Sequence, residues 1–141
     1  MKKILFTLFL LFLTDVVKSQ QIDRFPIYPG CQKFMNDNQK LNGCFQENLA
    51  RDLKLQSKQK SKEDQDITKE FVRVTLVVDE KGKMKDFTVL NETKTKATAS
   101  VIKKLEELQK YNSNVNRNII PAYYRRMKVP FKITFITEEI I

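Results

Sequence analysis

Residues Phe71–Glu92 read FVRVTLVVDEKGKMKDFTVLNE. Val72, Val74, Leu76 and Val78 take alternate positions, with Arg73 and Thr75 between them, which is the period of a strand with one buried face. The next four residues are Asp79, Glu80, Lys81 and Gly82. Aspartate at the first turn position and glycine at the fourth suit a type I turn, whose glycine takes the positive φ that a bulge needs. Phe87 and Val89 then resume the alternation on one face. The stretch predicts a β-hairpin over Val72–Leu90.

Working outward, Ala97, Val101, Leu105 and Leu108 recur at helical spacing, and Ile102 widens their stripe. A helix is expected from about Thr95 to Gln109, capped by Thr93 or Thr95 and ended by the asparagine-rich NSNVNRN. In the closing MKVPFKITFI, Met127, Val129, Phe131, Ile133 and Phe135 alternate with Lys128, Lys132 and Thr134. Pro130 has no N–H to give a ladder, so this last strand is expected at a sheet edge or at a bulge. Upstream, Phe25–Gly30 is expected to be extended or turning, because each proline restricts the residue before it. A polar loop should run to about Gly43. Cys44 then opens a helical pattern through Phe45, Leu49 and Leu53. The expected fold class is α+β: a small three-stranded antiparallel sheet, hairpin plus C-terminal strand, with two helices on one face.

The first nineteen residues read as a secretory signal peptide. Lys2 and Lys3 precede the ten-residue apolar run Ile4–Leu13, and Val17 and Ser19 suit cleavage before Gln20. An uncleaved anchor is the rival reading, but ten apolar residues span only about 15 Å as helix, half a bilayer core. Residues 20–141 form a single domain with one modest core. Loss of Lys2, Lys3, Lys18 and Asp15 lowers the formal charge from +9 to +7. That balance permits attraction to nucleic acid, anionic lipid or acidic partners without choosing among them. Export argues against nucleic acid. Cys31 and Cys44 are the only cysteines, and an oxidising compartment favours an internal disulfide between them, worth about 3 kcal/mol by loop closure. Their spacing is not C-x-x-C, and with no histidine in the chain a zinc site would lack its usual ligands.

The ordered set of VRVTLVVDEKGKMKDFTVLNET, a helix, then IIPAYYRRMKVPFKITF resembles the C-terminal domain family of TonB. There a V-x-V-x-F-x-V strand, a D-x-x-G turn and a V-x-x-x-x-V strand are followed by a proline-alanine pair and a V-P-F-x-I-x-F strand. YPGC at the front, followed by GCF, is similar to stand-alone secreted or periplasmic relatives from Gram-negative bacteria. The likeness covers roughly residues 26–137. It implies a module that recognises an outer-membrane transporter by pairing an extended segment of it along the last strand, here Met127–Thr137. The chain shows neither a proline-rich span nor the Y-P-x-x-A pattern ahead of the first strand. The expectation is therefore a free-standing binding module and not an energy transducer.

For partner binding the candidate residues are Tyr123, Tyr124, Arg125, Arg126, Phe131, Ile133 and Phe135. Aromatic plus arginine is the composition of interface anchors. The plainer reading is a solvated strand whose tyrosines lean on the core, with the phenylalanines simply packed. Asn91-Glu-Thr matches a glycosylation sequon, idle in a bacterial setting. Turn chemistry explains Asp79 and Asp86 better than a carboxylate pair does. No Ser-His-Asp set, glycine-rich phosphate loop or metal-ligand spacing is present, so neither enzyme activity nor a cofactor is expected. The expected partner is a protein of the cell envelope, with a homodimer through the same edge also compatible and no stable membrane span. The competing class is a cationic protein recognising anionic lipid, glycan or nucleic acid.

Overall fold

The computed structural model describes residues 21–57 and 69–140. The signal-peptide reading and the lysine-rich stretch beyond Ser57 lie outside the described residues. The quoted hairpin forms as expected. Strand β1, Lys69–Val78, pairs antiparallel with β2, Met84–Val89. Val72, Val74, Leu76 and Val78 are all fully buried, each worth roughly 1.5–3 kcal/mol of removed apolar surface. Asp79 organises the turn: its Oδ1 accepts from the N–H groups of Lys81 and Lys83, both at 2.9 Å. Gly82 donates to the Asp79 carbonyl at 3.0 Å and holds φ at +77°. The ladder slips by one residue between Thr75 and Val77, where Asp86 turns to a φ of +54°. That is a β-bulge in the shorter strand, and alternation alone does not reveal it.

Helix α1 spans Asn38–Ser57, so the loop expected to run to Gly43 is six residues of helix instead. Asp37 is the signal that marks the true start. Its Oδ1 accepts from the Lys40 N–H and its carbonyl from the Leu41 N–H, which is how an N-cap starts a helix. Leu41 adds one turn to the buried stripe of Phe45, Leu49 and Leu53. Helix α2 spans Lys96–Asn114, capped by Thr95 in a reciprocal bond pair with Thr98. It runs five residues past Gln109 because Asn112, a polar residue, continues the buried face.

The expected last strand is divided at Pro130. Residues Met127–Val129 form β4, paired with β3, Ala122–Tyr124, in a separate two-stranded sheet. Phe131–Ile140 forms β5, in unbroken register with β1 from Val78↔Phe131 to Lys69↔Ile140. The main sheet is ordered β2-β1-β5. Both helices contact it, with α2 reaching all three strands and α1 reaching β5. The core lies in that layer, where Tyr28 and Phe45 pack edge to face. The architecture is the expected α+β one, with the small second sheet added.

Cys31 and Cys44 are bridged, their Cα atoms 5.9 Å apart. The bridge joins the extended N-terminal segment to the second turn of α1. That segment is also tied to the far end of the chain, since Ile27 and Ile120 exchange backbone bonds at 2.9 Å each. No helix among the described residues is long and apolar enough to cross a membrane.

Candidate functional site

The backbone of β5 presents the first site. In an antiparallel ladder, successive residues point their N–H and C=O groups to opposite sides. Arg73 gives its carbonyl to the Leu90 N–H, and Phe71 gives its own to the Asn91 side chain, so both face the β2 side. Their ladder partners on β5, Ile136 and Glu138, therefore turn their backbone groups away from β1, as do Lys132 and Thr134. This outer edge runs the length of a ten-residue strand. Gln46 of α1 covers one point of it, donating to the Thr134 carbonyl at 2.9 Å.

The opposite edge of the sheet is built differently. β2 has six residues, carries the bulge at Asp86, and has its Met84 N–H taken by Gln109 Oε1 at 2.7 Å. A short, bulged, partly covered edge resists pairing, and a long regular one invites it. The Asn91 side chain takes over where β2 ends: its amide accepts from the Arg73 N–H and donates to the Phe71 carbonyl.

The second site is the β3–β4 hairpin. Tyr123 and Tyr124 are half-buried, and Arg125 and Arg126 are exposed at its tip. The two arginines are the central residues of the turn, with φ of +49° and +65°. Such a turn normally carries Asn-Gly, because a side chain in the left-handed region costs roughly 1–2 kcal/mol per residue. The strained turn is held from outside. Asp23 Oδ2 accepts from the Arg125 N–H at 2.7 Å, and Asp23 and Arg24 bond the Tyr123 backbone as a third short strand. Arg24 lies opposite Tyr123, which lies opposite Lys128, so the three share a face. The Arg24 guanidinium sits 4.5 Å from the Tyr123 ring centre, and that of Arg125 sits 5.1 Å from Tyr124.

The remaining residues named from the sequence occupy other environments. Ile133 and Phe135 are buried, pointing beneath the sheet into the core. Phe131 is half-buried, edge-on to Phe25 at 5.3 Å. The side chains that border the outer edge of β5 are Lys132, Thr134, Ile136 and Glu138. The apolar positions stand out in the sequence, yet strand addition uses the backbone of the residues between them.

A third cluster is titratable but enclosed. Tyr28 donates to Asp52 Oδ2 at 2.7 Å, and Arg117 bonds the same oxygen at 2.8 Å. Burial, then the bond to Asp52, raises the Tyr28 hydroxyl well above its ordinary value. Burial opposes the Arg117 charge, but Asp52 outweighs it, so its pKa also rises. Folded Tyr28 thus keeps its proton where the unfolded chain loses it. Stability should be full below pH 10, the ordinary tyrosine value, and fall as the pH rises above it. Urea unfolding across alkaline pH should show this decline, and Tyr28→Phe should flatten it. An equally steep decline in the variant would remove Tyr28 as its source.

No family model, curated protein or solved structure matches the chain.

Proposed function

We propose that the protein is an exported, free-standing binding module, similar to the TonB C-terminal domain, that captures an envelope protein by β-strand addition along β5. The observation that carries this reading is the contrast between the two sheet edges. An incoming strand meets the outward groups of Thr134, Ile136 and Glu138 and displaces the Gln46 bond. Backbone hydrogen bonds supply affinity in this mode, and side chains on the exposed face supply choice. An outer-membrane transporter segment is the partner that the sequence resemblance suggests. The role is one of binding, with neither catalysis nor energy transduction assigned to the chain.

Proline at position 134 tests this reading cleanly. It removes an outward N–H and leaves the β1 ladder intact, whereas proline at 133 would cut an internal bond. Thr134→Pro should keep its circular dichroism spectrum and lose at least tenfold in affinity for partners captured by the wild type from native envelope. Hydrogen exchange on the wild-type complex should protect the Thr134, Ile136 and Glu138 amides. Retained capture by the folded variant, or protection confined to other segments, would sink the reading.

A further inference from the structure

We propose that the tip of the β3–β4 hairpin docks on an anionic lipid surface. Arg24, Arg125, Arg126 and Lys128 gather there around two tyrosines, and among the described residues none of the four forms an ion pair. Asp23, the carboxylate at the tip, is engaged with the Arg125 backbone N–H. Buried Arg24 Nε has no hydrogen-bond partner among the described residues. The Arg24 and Arg125 guanidinium groups are thus held in place by stacking and by a braced turn, and the tip sets four cations against the Asp23 carboxylate.

Shape and composition favour a membrane over an acidic polypeptide. Two concavities lie away from the hairpin, one between β2 and α2 and one beside the disulfide. Met127 next to the arginines is 63% exposed, giving the tip an apolar point among its cations. Tyrosine rings with one apolar and one polar end settle at the headgroup level, and arginine adds attraction to anionic headgroups. The two arginines occupy backbone positions where glycine would be relaxed, and both are exposed at the turn. This inference stands apart from strand addition, because it uses the hairpin turn and not the outer edge of β5.

The test is co-sedimentation of the protein, as purified from its expressing cell, with phosphatidylcholine vesicles and with vesicles containing equal phosphatidylglycerol. Comparing the wild type with a hairpin variant that carries the same N-terminus cancels any contribution from the N-terminal apolar run and its flanking lysines. Binding should favour the anionic vesicles and weaken from low to physiological ionic strength. Each arginine near such a surface is worth about a factor of five, so Arg125→Gly with Arg126→Gly should lower anionic binding about twenty-five-fold. The same variant should melt no lower than the wild type, since glycine accepts both φ values without strain. Arg125→Lys with Arg126→Lys should retain most of the binding. Equal binding to both vesicle types, or a double-glycine variant that keeps the anionic preference, overturns the proposal. So does binding to polyglutamate without binding to anionic vesicles.

Discussion

Gly82→Ala is expected to destabilise the protein by about 4 kcal/mol, a large share of the 5–15 kcal/mol typical of a domain. Two costs combine. A side chain at a φ of +77° is strained by roughly 1 kcal/mol. The larger cost is steric, because the added Cβ would stand 1.8 Å from the Ile119 carbonyl oxygen. A backbone atom cannot swing aside as a side-chain tip can. Relief requires the turn or the Ile119 segment to shift, and that segment holds a core side chain and the Ile27–Ile120 bonds. Gly43→Ala is the matched control. Gly43 lies within α1, and an added Cβ there would meet nothing within 4 Å, so alanine should stabilise by about 0.5–1 kcal/mol. Urea midpoints of the two variants should move in opposite directions. A Gly82→Ala midpoint near that of the wild type would mean the turn does not bear on Ile119.

These two glycines also show how far the amino-acid sequence carries. The turn at Asp79–Gly82 is readable because aspartate and glycine at fixed places have a local mechanism. That Gly82 presses on Ile119 is not, because the contact joins segments far apart in the chain. The hairpin, the C-terminal strand and the Cys31–Cys44 bridge follow from alternation and cysteine arithmetic. The start of α1 escapes a periodicity reading although Asp37 announces it, since an apolar stripe counted from Phe45 overlooks Leu41 one turn earlier. The end of α2 is illegible for another reason: Asn112 is buried by tertiary packing near Tyr28, and periodicity cannot see a polar residue as core. Arg125 and Arg126 conceal a turn because nothing in their chemistry favours a left-handed backbone. As for the sites, the Tyr123–Arg126 group is visible as composition. The free edge is visible only as a strand, because which backbone groups face outward depends on pairing register.

Asp52→Ala should cost about 3 kcal/mol, the lower end of what breaking a buried charge pair costs. One carboxylate oxygen accepts from both Tyr28 and Arg117. Its removal orphans a buried hydroxyl and a guanidinium together. The lower end is the fitting choice because the Arg117 side chain is 32% exposed and water can partly replace its partner. The loss also loosens three segments at once: the N-terminal stretch through Tyr28, α1 through Asp52, and the turn after α2 through Arg117. Arg117→Met should cost less than Asp52→Ala, since it leaves the Tyr28–Asp52 bond standing. Equal costs for the two variants, measured by urea unfolding at neutral pH, would show that the hydroxyl bond contributes nothing of its own.

The bulge at Asp86 sets a limit on self-association. A sheet with two good margins can stack copies without end, each newcomer exposing a fresh template for the next. Here only the β5 side is long and regular, while the β2 side is kinked and partly capped by Gln109. Two molecules joined through β5 would each have used the receptive margin of the main sheet, so growth through that sheet would stop at the pair.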